Sequence, residues 1–220
     1  MGHIPIVATN FINNVIDQSY YFSALVIIAV ALVLFVLSFE KRKPRTREVI
    51  LMAVMVSIAV VGRLVFFAVP HIKPCAAIII IVGMMLGKQA GFLCGVLTAF
   101  ISDFFFGVGP WTPFQMIAFG LIGLLAAVLF NPKSVETTKG FVAVLIYGFV
   151  ATFIIYGLIM DTATVMMFTD KVKWTSLLAT YATGFVYNII HAASTVAFLW
   201  LLARVMQRKL QRMMLKYNIQ

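Results

Sequence analysis

Apolar runs of membrane length, separated by short polar or Gly/Pro-containing turns, recur along the chain. Seven are predicted as helical spans: Tyr20–Phe39, Glu48–Phe67, Ala76–Leu86, Gln89–Phe106, Phe114–Phe130, Phe141–Met160 and Leu177–Arg204. Runs of about 20 apolar residues match a hydrocarbon core of about 30 Å. They do not alternate with a period of two, which excludes a membrane β-barrel. The expected fold is therefore an all-α membrane protein. The first span is featureless and is cut off by the charged, Pro-containing run KRKPRTR, so it is expected to be an additional N-terminal transmembrane helix on a six-helix core. The division expected is a tail and accessory helix over 1–40, a basic linker over 41–47, a core over 48–206 and a basic tail over 207–220. Phe11, Ile12, Val15 and Ile16 have helical spacing, and the tail that carries them either lies on the outer leaflet or is unstructured.

Composition agrees with the pattern: 63% of residues are hydrophobic and 11% charged. A soluble domain of this size has no use for that much apolar surface. The net charge of +10 would suggest nucleic acid if it were clustered on a folded surface. Instead the basic residues sit between apolar spans and near the C-terminus. If the spans alternate, 13 of the 17 fall on one side, leaving Lys73, Lys171 and Lys173 opposite and Arg63 near a helix end. The positive-inside rule makes the richer side cytoplasmic, with the N-terminus outside and the C-terminus inside. Cys75 and Cys94 lie within or beside apolar helices and read as buried thiols rather than a disulfide framework.

Chemistry-bearing residues gather toward the opposite, extracellular side. Arg63 lies 16 residues beyond Arg47, about 24 Å along a helix, and Asp103 reaches a similar level from Lys88. The two either pair with each other or meet a ligand. The following run, FFFGVGPWTPFQ, mixes rings with two glycines and two prolines, which shape a defined turn. Trp111, Phe114 and Gln115 in it are candidates to cover a ligand, and Lys73 sits in the neighbouring loop. Tyr181, Gly184, Asn188, His191 and Thr195 form one polar face of the last span. Thr152 and Tyr156 are placed to line the same cavity. The stripe has an equally weighted alternative, a hydrogen-bond network between helices with no ligand. His191 has no companion ligands in sequence, so no metal site is expected. Gly83, Gly87, Gly91 and Gly95 predict close backbone approach around a tight turn. Ala53 and Ser57 form a second small pair, suited either to packing inside the bundle or to docking another membrane subunit. The chain has no GxxxxGK[ST] loop, so it does not hydrolyse ATP by that route. It also lacks a catalytic triad or carboxylate pair, which leaves a lipid-modifying membrane enzyme as a minor alternative and a scaffold subunit as another.

The stretch from Thr46 to Leu202 resembles a substrate-binding S component of the energy-coupling factor (ECF) vitamin transporters. The most specific part is GKQAGFLCGVLTAFISDFFFGVGPWTPFQMIAFGLIG with HIKP before it, which is most similar to the cobalamin-specific subfamily. The family's AxxxA pattern is carried by Ala53 and Ser57, with Ser in the second place, and the extra N-terminal helix departs from the usual six. The resemblance implies a multi-pass protein of a bacterial cytoplasmic membrane that is not an enzyme. It implies capture of a vitamin from outside, with cobalamin or a related corrinoid favoured and riboflavin as the alternative, and no permanently bound cofactor. It further implies that the subunit topples in the bilayer to release its substrate. The expected partners are a transmembrane coupling protein, docked at Ala53 and Ser57, and two cytosolic ATPases, and no nucleic acid. The substrate-binding residues expected are Arg63, Lys73, Asp103, Trp111, Phe114, Gln115, Tyr156, Tyr181, Asn188 and His191.

Overall fold

The computed structural model describes residues 46–168 and 173–217, and all regular structure there is helical. The expected accessory helix, the tail before it, Lys41–Arg45 of the linker and Lys171 lie outside the described residues. Six rods form the bundle: α1 (Thr46–Val65), α2 (Cys75–Leu86), α3 (Lys88–Phe106), α4 (Thr112–Leu129), α5 (Thr138–Phe168) and α6 (Trp174–Tyr217). Five of them are long and apolar enough to cross a membrane.

The exception, α2, is the centre of the fold. Its 12 residues span only about 18 Å. Every residue from Cys75 to Met85 is buried, among them four consecutive isoleucines. A helix that is apolar all round and buried all round has no lipid face, which is why its sequence shows no amphipathic period. Helices α1, α3, α4 and α6 pack around it.

Glycines set how closely that packing closes. A side chain at Gly83 or Gly91 would collide with the backbone of Gly123 on α4, and one at Gly95 would collide with the backbone at Phe119 and Gly120. Three of the four predicted glycines thus serve close approach. The fourth, Gly87, has open space around it but a φ of +93° and ψ of −178°, a region only glycine occupies comfortably. It turns α2 directly into α3.

Two helices differ from the sequence reading. α5 runs through Asp161 to Phe168 and contains a π turn at Ala151–Tyr156. α6 has 44 residues and continues 13 residues past Arg204. Its last turns contain no Gly or Pro, and Ala203, Gln207 and Leu210 keep an inward stripe at helical spacing. The expected basic tail is therefore the end of a rod through Tyr217, whose carbonyl oxygen accepts from Arg47 Nη1 at 2.9 Å. That contact places the two termini of the described core at one end of the bundle, the basic end.

Val at Gly91 or Gly123 is expected to destabilise the bundle by about 1–3 kcal/mol through overpacking. Gly87→Ala should cost a similar amount through backbone strain alone. Both cysteines are buried, so a thiol-reactive dye during a thermal ramp reads unfolding directly. A Val142→Ala change on the exposed face of α5 should leave the transition in place.

Candidate ligand-binding site

At the other end of the bundle, a guanidinium is buried where α1, α3, α4 and α5 converge. Arg63 is 7% exposed and Asp103 1%. A charge removed from water must be paired and hydrogen-bonded to be tolerated, and Arg63 is. Its Nη1 donates to Asp103 Oδ1 at 3.1 Å and to the Ser102 hydroxyl, and its Nη2 donates to Gln115 Oε1 at 3.0 Å. The second Asp103 oxygen accepts from Thr112 Oγ1 at 2.7 Å, and Thr112 in turn accepts from the Gly109 backbone N–H at 3.2 Å. Gln115 Nε2 passes the network to the Tyr156 hydroxyl at 2.8 Å. Among the described residues, no buried side-chain nitrogen or oxygen lacks a partner.

The network is edged by rings. The face of Phe106 lies 4.7 Å from the Arg63 guanidinium and 5.0 Å from Lys73 Nζ, with Phe67 also against it. Lys73 holds its loop to α6, its backbone N–H donating to Ser194 Oγ at 3.0 Å. Beside it, the His71 ring lies tilted against Tyr187 with ring centroids 4.9 Å apart. Burial, and secondarily the Lys73 ammonium, hold the His71 imidazole below its ordinary value. Burial and then the Arg63 charge likewise lower Lys73. Deeper in, Tyr156 is the hub of a ring cluster, 4.8 Å from Phe119 and 4.8 Å from His191.

A second polar seam joins α5 to α6. Asn188 Nδ2 donates to Asp161 Oδ2 at 2.8 Å, and the Thr162 and Tyr181 hydroxyls share a 2.8 Å hydrogen bond. A side chain at Gly157 would meet Asn188, and one at Gly184 would meet the Asp161 carboxylate, so both glycines exist to let the seam close. Farther along, Thr152 donates to Thr195 at 3.2 Å.

Of the residues expected from sequence, Arg63, Asp103, Gln115 and Tyr156 form one bonded network, with Lys73 attached through Phe106 and His191 through Tyr156. Tyr181 and Asn188 belong to the separate seam. The polar stripe of α6 thus hydrogen-bonds across to α5 along much of its length. The Trp111 ring lies against Gly109 in its own loop, half-buried, and Phe114 is buried. Ala53 and Ser57 are exposed, on the face of α1 opposite its buried residues Met55, Val56, Ala59 and Arg63. They do not pack inside the bundle.

Five hydrogen-bonding side chains lie outside the sequence expectations: Ser102, Thr112, Asp161, Thr162 and Ser194. Asp161 had a signal, an acidic residue beside an apolar run. The span predicted over Phe141–Met160 stops just before it and leaves Asp161 in a loop, whereas α5 continues to Phe168. No group of His, Cys, Asp or Glu among the described residues is arranged to hold a metal ion.

A protein-family model described as ECF-type riboflavin transporter, S component, matches residues 43–200. No curated protein and no solved structure matches the chain. The match covers α1 to α5 and α6 as far as Trp200, and leaves the N-terminal span outside it. It does not support the cobalamin-specific subfamily, since the vitamin in the family's description is riboflavin. With a helical membrane bundle, a mouth of buried polar groups and a match over more than two thirds of its length, the chain belongs to the ECF-type riboflavin transporter S component family.

Proposed function

We propose that this S component captures riboflavin, or a flavin of the same ring system, from the extracellular side, at the α5–α6 seam beside the Arg63 network. The observation that carries the reading is the order of groups along two adjacent helices. Tyr156 and Asp161 follow each other on α5, His191 and Asn188 on α6, so an aromatic cluster adjoins an amide–carboxylate pair. A flavin has the matching order, a flat ring that stacks on aromatic faces and an imide edge that both donates and accepts hydrogen bonds. The corrinoid favoured by the sequence run is bulkier and lacks that edge, and the family description does not name it.

Binding at this end supports an inward delivery step driven by partners. The core has no nucleotide-binding loop, so the energy comes from a transmembrane coupling protein and two ATPases of the ECF module. Ala53 and Ser57 are the docking pair in this reading. Both are exposed on α1, and the Ser57 hydroxyl is already bonded to the Ala53 carbonyl at 2.9 Å. The face therefore offers small, internally satisfied groups on which another helix can pack closely.

Titration of the purified protein with riboflavin should quench flavin fluorescence, while cobalamin and cobinamide should not compete. Tight corrinoid binding without flavin binding would reverse the substrate assignment. Asn188→Leu should weaken flavin binding by about 1–3 kcal/mol, the effect of removing a buried hydrogen-bond partner. Unchanged affinity would move the site away from the seam.

Ala53→Leu and Ser57→Leu should leave flavin titrations unaltered, because neither position touches the core. In cells they should reduce uptake and in pull-downs reduce recovery of the coupling protein. Full uptake with both bulky residues present would place the docking face elsewhere.

A further inference from the structure

We propose that the basic end of the bundle holds the phosphodiester headgroup of an anionic phospholipid between Arg204 and Arg208 of α6. A cavity of about 270 Å³ opens there, lined by Val135, Glu136, Arg204, Gln207 and Arg208. Its walls are fixed. Gln207 is 3% exposed and its amide donates to the Pro132 carbonyl at 3.0 Å and to Glu136 Oε1 at 3.1 Å, tying the α4–α5 connection to α6. The Arg204 guanidinium lies 4.2 Å from the Phe141 ring centroid and donates through Nε to the Val135 carbonyl at 3.3 Å. Packing and one nitrogen thus orient Arg204. Among the described residues, its Nη nitrogens and all of Arg208 make no hydrogen bond to protein. Two guanidinium groups one turn apart on a helix, one of them held in place, match the oxygens of a phosphodiester in charge and geometry.

The level of the cavity decides the source of that phosphodiester. Trp200, Arg204 and Arg208 are spaced i, i+4, i+8 and are all exposed, so they share one outward face. An outward tryptophan one turn before the first arginine marks the membrane–water interface, which sets the cavity at headgroup depth. Exposed Lys133, Lys139, Lys209 and Arg212 keep the surroundings positive. Glu136 is the one opposing charge in the cavity lining. Half of its carboxylate is occupied by Gln207, and the rest suits a donor hydroxyl of the kind a glycerol headgroup carries. Phosphatidylglycerol therefore fits better than phosphatidylcholine, which offers no donor. By the positive-inside rule this is the cytoplasmic leaflet.

Native mass spectrometry of the full chain, released from micelles doped with phosphatidylglycerol or phosphatidylcholine, tests the site. Phosphatidylglycerol should be retained preferentially. At about 1 kcal/mol per basic residue near a membrane surface, its retention should fall about fivefold in Arg208→Gln and again in the Arg204→Gln/Arg208→Gln double variant. Arg208 is exposed and makes no hydrogen bond to the rest of the described fold, so the single variant gives an answer even if the double one unfolds. Lys216→Gln should retain the lipid as the parent does. Equal retention of both lipids, or an unaffected Arg208→Gln, overturns the proposal. So does displacement of the lipid by millimolar inorganic phosphate, which would make the ligand a soluble anion. Loss of the coupling module with lipid retention intact would assign the arginines to a protein contact instead.

Discussion

A guanidinium cannot be left bare inside a helical membrane bundle, and this constraint organises one end of the molecule. Arg63 needs acceptors that α1 itself does not provide, and it takes them from α3 and α4. Each acceptor then has obligations of its own. Asp103 needs a donor for its second oxygen and finds Thr112, and the Gln115 amide finds Tyr156. Satisfying one desolvated charge therefore fixes the register of four helices against one another. Removing water strengthens each of these bonds and makes each vacancy costly, so the arrangement is rigid because it is complete.

Completeness of that kind requires the helices to come close, and the hydrophobic effect does not bring them together in lipid, where a neighbouring helix is no more apolar than an acyl chain. Shape has to do it. Gly83 and Gly91 meet Gly123 backbone to backbone, and Gly95 meets the Phe119–Gly120 segment. With α3 and α4 drawn this near, Ser102 and Asp103 in the last turns of one helix lie within reach of Thr112 and Gln115 at the start of the other. The buried α2 gives both something to close upon. On the α5–α6 side the same device recurs, Gly157 and Gly184 letting Asp161 and Asn188 meet. Small residues and polar pairs are two halves of one mechanism here.

This also explains what the sequence disclosed. The spans were legible because hydrocarbon thickness sets their length, and the common level of Arg63 and Asp103 because both residues are placed by counting along helices from the same basic side; that they pair is shown by the structure. The stripe from Tyr181 to Thr195 was legible as a face but not as a seam, since a period identifies which residues point together and not what they meet. Three features hid for physical reasons. The centrality of α2 left no amphipathic signal because it has no wet or lipid face. Gly120 and Gly123 looked like ordinary members of an apolar run, because close approach belongs to pairs of helices. The far end of α6 read as a solvated tail because its charges dominate the composition, although Ala203, Gln207 and Leu210 continue the inward stripe through them. Asp161 stays hidden because the predicted span stops at Met160, eight residues short of the end of α5 at Phe168.

The surface that faces lipid follows the same rule as the interior. Hydroxyls on exposed positions return their proton to the preceding turn: Ser57 to Ala53 at 2.9 Å and Thr183 to Ala179 at 3.0 Å. Around them α1 presents Val54, Ile58 and Val61, and α6 presents Phe185, Val186 and Ile189. A polar group left unsatisfied in hydrocarbon costs several kcal/mol, and it would pin the helix that carries it to one depth and one neighbour. With those hydroxyls spent within their own helices, the barrel of the molecule offers lipid little besides hydrocarbon between its two ends. Polar obligations are discharged inside at the mouth, while charges that need water collect at the basic end. Such a body has few specific attachments to the bilayer along its sides, so its specific contacts with the surroundings are confined to its two ends.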